Sequence, residues 1–152
     1  MEGQNRRQFF RLPLPHPLSS DVTIIRIKDN AVEAGKAQVL IEDISPGGLR
    51  FISDVKLPAT PQVILEFETE ILNNTIQLPG YIVRKLPRED ELYEYGVTFT
   101  LDEAVYTELI PLLQLLSIRL RRTPIVGGCR FASNEELETL LGPLPESPSQ
   151  SS

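Results

Sequence analysis

The chain has 152 residues, of which 41% are hydrophobic and 24% charged, and carries a formal net charge of −6. That length fits one domain able to bury roughly 70% of its unfolded surface, and the acidic balance excludes a global field for DNA or RNA, so any polyanion site must be a local basic patch. A lone cysteine, Cys129, excludes an intrachain disulfide; no apolar run reaches the ~18 residues of a membrane span, and the N-terminus lacks the apolar stretch of a secretory signal, so a cytoplasmic protein with no direct membrane insertion is expected.

The first twenty residues are basic, then proline-rich: Asn5-Arg6-Arg7-Gln8-Phe9-Phe10-Arg11 is followed by LPLPHPLSS. Pro13, Pro15 and Pro17 keep this stretch extended, and an N-terminal arm over 1–20 is expected to lie across the surface of the domain formed by the rest of the chain. Residues 21–100 read as β. DVTIIRIKD is a β-branched run ending at the turn pair Asp29-Asn30. KAQVLIEDI, with Ala37, Val39 and Ile41 on one face, breaks at Ser45-Pro46-Gly47-Gly48, where proline presets φ and glycine supplies a positive φ. GLRFIS restarts a strand. PQVILEFET alternates, with Val63, Leu65 and Phe67 inward. TIQLPGYIVRKL contains Pro79-Gly80, which predicts a bulge or sharp bend. ELYEYGVTFTL, with Tyr93, Tyr95, Val97 and Phe99 at period two, closes the set. Six short strands at this spacing suggest an antiparallel barrel or sandwich.

Residues 101–142 change to helical period. Asp102 is an N-cap candidate, and Val105, Leu109, Leu112, Leu113, Leu116 and Leu120 recur at helical spacing. Pro111 predicts a kink or a split, and Arg119, Arg121 and Arg122 crowd the C-terminal turn. A last short helix is expected from Ser133, with Glu136 as its capping-box partner and Gly142 as its stop. The tail 143–152, rich in proline and serine, is expected to be disordered.

Two segments stand out for chemistry. Arginines cluster in Asn5–Arg11, and a guanidinium fork matches a phosphate or the O6/N7 edge of guanine. Asp43-Ile44-Ser45-Pro46-Gly47-Gly48 sits between two strands; a carboxylate there can accept from the N1 and N2 donors of guanine, and glycine admits a ligand close to the backbone. Alone, the first reads equally as a solvated basic tail and the second as a tight turn. Together, Arg7-Gln8-Phe9-Phe10-Arg11 as an RxxxR and Asp43 to Gly48 as a D-x-S-x-x-G resemble the PilZ domain family, receptors for cyclic di-GMP. The strand Tyr95-Gly96-Val97-Thr98-Phe99 and the helix after it are similar to the family's closing elements, and the resemblance spans residues 5 to 120.

The resemblance implies a mostly β fold: a six-stranded antiparallel PilZ-type barrel over 21–100 with C-terminal α-helices over 101–142. It implies that Arg7 and Arg11 meet the guanine edge and the phosphates, that Asp43 takes the Watson–Crick donors, that Ser45 hydrogen-bonds nearby, and that Gly47 and Gly48 hold the turn. Arg6, just before the RxxxR, resembles the type that accepts an intercalated ligand dimer. The implied function is a stand-alone cyclic di-GMP receptor or adaptor whose arm changes conformation on binding and which passes the signal to an effector protein through the helices. A protein-interaction domain of the same fold that does not bind the nucleotide is the alternative; a nucleic-acid-binding barrel of the OB type is disfavoured by charge and by the lack of interleaved aromatics and basics. No enzyme, cofactor or metal site is expected: His16 has no Cys or His neighbour, no His/Asp/Ser set is evident, and Cys129 beside Gly127-Gly128 reads as an idle thiol.

Overall fold

In the computed structural model, described over residues 11–141, the β-branched and alternating runs become strands β1 (Leu12–Ile27), β2 (Asn30–Ala31), β3 (Lys36–Ser45), β4 (Gly48–Ser53), β5 (Val63–Ile71), β6 (Asn74–Pro87) and β7 (Tyr93–Phe99). All pairings are antiparallel, in the order β2-β1-β3-β4-β7-β6-β5, and β1 also pairs with β5. That last pairing closes six strands into a barrel and leaves β2 as a short hairpin on β1, turned at Lys28 with φ 57°. The expected six-stranded antiparallel barrel with C-terminal helices is the fold observed.

Period two dictates the interior. In β5, Val63, Leu65, Phe67 and Ile71 are buried, and in β7, Tyr95, Val97 and Phe99. Phe51 stacks on Tyr95 at 4.9 Å and meets Phe67 edge-on at 5.1 Å, so three strands contribute one aromatic cluster at the centre of the core.

Two sequence expectations about the strands are corrected. Residues 12–20, assigned to a surface arm, are the first half of β1: Leu12, Leu14, Leu18, Ser19 and Ser20 are buried, and Leu12, Leu18, Ser19 and Ser20 pair along β3. The LPLPHPL alternation sends leucines inward and puts the prolines between them, with a register shift between Pro13 and Leu18 absorbing the missing N–H groups. No bulge forms at Pro79-Gly80, which pair regularly with Glu66 and Leu65; the irregularity lies between Ile82 and Arg84. Gly80 is required instead for close approach, since a Cβ there would lie 2.5 Å from the Thr98 carbonyl.

Helix α1 (Glu103–Leu120) begins where Asp102 accepts from the Val105 N–H at 2.9 Å, and it runs through Pro111 undivided. Pro111 and Thr107, whose carbonyl loses its partner, are both exposed, so water can satisfy the orphan group. Leu109, Leu113 and Leu116 join the barrel core. Helix α2 (Asn134–Leu141) has the expected capping box: Ser133 N–H donates to Glu136 at 2.8 Å and Glu136 N–H to Ser133 Oγ at 3.1 Å. The other Glu136 oxygen accepts from Gln38 at 2.6 Å and Ser19 at 3.2 Å, so one carboxylate caps α2 and ties it to β1 and β3. Gly142 and the tail 143–152 lie outside the described residues.

Between the helices the chain returns to the barrel. Arg130 donates its N–H to the Glu70 carbonyl and accepts from the Ser19 N–H, both at 2.8 Å, bridging β5 and β1. His16 donates through Nε2 to the Ala132 carbonyl at 2.8 Å and meets Phe131 edge-on.

Candidate functional site

The Asp43–Gly48 segment is built by strand register. Ser45 pairs with Gly48, so Pro46 and Gly47 form a two-residue turn between β3 and β4. Ser45 Oγ accepts from the Gly47 N–H at 3.2 Å and donates to the Gly48 carbonyl at 3.3 Å, which pins the turn from inside. Neither Gly47 nor Gly48 has a positive φ, contrary to the expectation for this turn. The need for glycine at 48 is steric: a Cβ would lie 1.9 Å from the Val97 carbonyl of neighbouring β7.

Asp43, two residues before Ser45 on β3, is 5% exposed. Pairing of Pro13 with Asp43 delivers Arg11 to it, and pairing of Arg50 with Asp43 delivers a second guanidinium from β4. Arg11 Nη1 donates to Asp43 Oδ1 at 2.6 Å and Arg50 Nε to Oδ2 at 2.8 Å, so each carboxylate oxygen carries a charge-assisted hydrogen bond. Arg50 also donates to Glu42 at 2.5 Å and lies 3.5 Å from Glu94. Burial works against the Arg50 charge, but Asp43, Glu42 and Glu94 outweigh it and hold its pKa above the ordinary arginine value. Arg11, by contrast, is 59% exposed and has no other ion pair among the described residues.

Beside this network lies an open cleft of about 400 Å³. Arg11, Ser45, Gly47 and Gly48 line one side, and Val83, Arg84 and Gly96 the other. Gly96 pairs with Arg50 on one neighbour and with Arg84 on the other, and its missing side chain leaves the floor open between two guanidinium groups. Asp43 does not line the cleft; Arg11 and Arg50 stand in front of it. The arrangement suits a small anion with a planar, hydrogen-bonding end: the guanidinium groups of Arg11, Arg50 and Arg84, glycines that leave room for close approach, and the buried Asp43 acceptor paired with the exposed Arg11.

Residues 5–114 match the PilZ domain family. The chain belongs to the PilZ domain family. The fold of this PilZ chain is similar to solved structures at low identity. The Bacillus subtilis inhibitor of motility MotI/DgrA aligns with TM-score 0.54 and 15% identity over 78% of this chain and 53% of that one. Escherichia coli YcgR in complex with c-di-GMP aligns with TM-score 0.54 and 16% identity over 76% and 48%, and MrkH of K. pneumonia in its apo state with 0.54 and 17% over 74% and 52%. The PilZ chain thus spans about half the length of these structures. No curated protein matches it.

Of the site residues read from the PilZ motifs, the structure brings together Arg11, Asp43, Ser45, Gly47 and Gly48 around one strand end. Arg6 and Arg7 lie outside the described residues. Arg50, Arg84 and Gly96 were not foreseen from the sequence. Their signal was faint: Arg50 is a polar residue between buried Leu49 and Phe51, and nothing local links it to Arg84 or Gly96. Cys129 stands apart, half-buried, its sulfur accepting from the Leu72 N–H at 3.4 Å; burial raises its pKa and favours the thiol. Among the described residues no cluster of three or more His, Cys, Asp or Glu side chains could hold a metal ion, and no helix is long and apolar enough to cross a membrane.

Proposed function

We propose that this PilZ chain is a cytoplasmic receptor for cyclic di-GMP that passes the signal to an effector protein and catalyses nothing. The observation that carries the reading is the buried Asp43 carboxylate held behind Arg11 at the rim of a cationic cleft. The similarity to YcgR, a structure in complex with c-di-GMP, supports the ligand class. In this reading Arg7 and Arg11 engage the guanine edge and the phosphates, Asp43 accepts from guanine N1 and N2, and Ser45, Gly47 and Gly48 hold the wall that the ligand approaches. Arg84 adds positive charge for the phosphates from the far side. Arg6 supplies a further guanidinium plane for an intercalated ligand dimer.

Binding then requires an exchange of partners. A guanine donor reaches Asp43 Oδ1 only when Arg11 lets go of it, while Arg50 keeps Oδ2. Released Arg11 turns to the ligand, and the arm that precedes β1 changes conformation with it. The strand from Leu12 onward is paired and buried and stays in place, which confines the change to Arg11 and the residues before it. The helices over 101–142 carry the output surface.

One observation favours the alternative of an interaction domain that binds no nucleotide: both Asp43 carboxylate oxygens already accept from an arginine. Calorimetric titration with cyclic di-GMP separates the two. The native chain is expected to bind, and Arg7→Ala and Asp43→Ala to lose binding by about 5- to 150-fold, as removal of one good arginine–guanine pair costs about 1–3 kcal/mol. The heat curve of the native chain gives one or two ligands per chain, which tests the role of Arg6. A folded native chain that gives no heat of binding sinks the receptor reading.

A further inference from the structure

Helix α1 is apolar on more than the face it buries. Leu109, Leu113 and Leu116 point into the core, yet Leu115 is 42% and Ile118 52% exposed, and Pro111 is exposed with them. Apolar residues exposed together on a helix, outside the stripe it buries, mark a face that a second surface can cover. The exposed set has a seam spacing: Glu108, Pro111, Leu115 and Ile118 alternate by three and four residues, as the a and d positions of paired helices do, and Arg122 follows in the turn that ends the helix.

Charge along this seam says what covers it. Asp102 caps the helix and Glu103 and Glu108 lie in its first half, whereas Arg119 lies in its last turn and Arg121 and Arg122 follow directly after it. Glu108 and Arg122 are exposed and make no ion pair among the described residues. Laid antiparallel on a copy of itself about Leu115, the seam brings Ile118 to Pro111 of the second copy and Arg122 to its Glu108. A parallel pairing would set arginines against arginines and glutamates against glutamates. A surface that complements itself under a two-fold rotation is the signature of an isologous contact. From Glu108 to Ile118 the helical seam runs only ~15 Å, too short to bury the ~800 Å² per partner of a standard interface.

We propose that the outer face of α1 is a docking surface for a second copy of this chain, forming a weak antiparallel, two-fold symmetric dimer. The dimer does not depend on nucleotide binding, and its test needs no nucleotide. Sedimentation velocity of the full chain from about 10 to 500 µM covers the range expected for so short a seam. A monomer–dimer equilibrium should appear, with Leu115→Glu weakening the dimer at least ~10-fold, because two carboxylates then meet on the axis. Glu108→Arg should weaken it several-fold, and Glu108→Arg with Arg122→Glu should restore it to within ~3-fold, since both cross-contacts re-form with signs exchanged. All substitutions are at exposed positions, and circular dichroism checks that the chains remain folded. A chain that stays monomeric at the highest concentration overturns the proposal and leaves the face to a different partner. A dimer indifferent to Leu115→Glu, or one that the double exchange fails to restore, overturns it equally.

Discussion

At Gly48 the barrel tolerates no side chain at all. A methyl group there would sit 1.9 Å from the Val97 carbonyl, on rigid backbone of the paired strand, so neither partner can yield without opening the β4–β7 ladder. Gly48→Ala is therefore expected to cost about 3 kcal/mol or more. Gly35→Ala, at a position with nothing within 4 Å, should stay within ~0.5 kcal/mol. Urea unfolding of the two variants gives the comparison, and equal midpoints would count against the steric account. The turn itself was readable from Ser45-Pro46-Gly47-Gly48, but the reason for its second glycine was not, because Val97 belongs to β7, which is adjacent in the barrel but remote in the chain. Arg50 was missed for the same reason: its partners Asp43 and Glu94 reach it only through pairing with β3 and β7.

Elements follow local pattern where the pattern is self-contained. The Asp102 cap and the Ser133–Glu136 box needed only a few neighbouring residues, and both form as read. Pro79 and Pro111 mislead because the consequence of a missing N–H depends on what lies opposite it. The connection after β4 shows the same dependence. Tyr95 of β7 donates its hydroxyl to the Val55 carbonyl at 2.7 Å and accepts from the Leu57 N–H at 2.9 Å, anchoring that connection. Burial raises the Tyr95 pKa above the ordinary value of 10.0, outweighing the Leu57 hydrogen bond. The raised value favours the protonated phenol in the fold, so this contribution to stability is intact below about pH 10 and is lost as pH rises through the higher folded value. Tyr95→Phe should cost about 1–3 kcal/mol at neutral pH, by leaving the buried Leu57 N–H without its acceptor. It should also lose less stability than the native chain on going from neutral to strongly alkaline pH. Denaturant curves at both pH values test this, and parallel alkaline losses would show that Tyr95 is not the titrating group.

For the molecule as a whole, closure joins the first strand to the fifth, and segment 128–132 lies across that seam. The candidate site lies on a different part of the wall, where β3, β4, β7 and β6 meet beside the start of β1, so a ligand there touches residues of the barrel that are remote from one another in the chain. Such a ligand should stabilise the entire fold by linkage. At 100 times its dissociation constant, cyclic di-GMP should add about 2.7 kcal/mol, a rise in Tm on the order of 5–10 °C for a domain of this size. Asp43→Ala should show no such rise between ligand-free and saturated samples. A Tm of the native chain that does not move with saturating ligand contradicts the receptor reading at this scale.

What the sequence determined by itself was periodic or contiguous: the six alternating strands, the helical tract with its caps, and the two short motifs whose resemblance pointed to a PilZ barrel. These rest on interactions between near neighbours, where spacing alone decides which face a side chain takes. Only the tertiary structure decided that residues 12–20 belong to the barrel, that Arg11 and Arg50 share the Asp43 carboxylate, and that Gly96 opens a floor between Arg50 and Arg84. Each of those is a cross-strand relation. Barrel register sets residues side by side that are remote in the chain, and register follows from how both faces of every strand are buried at once, which no single segment carries.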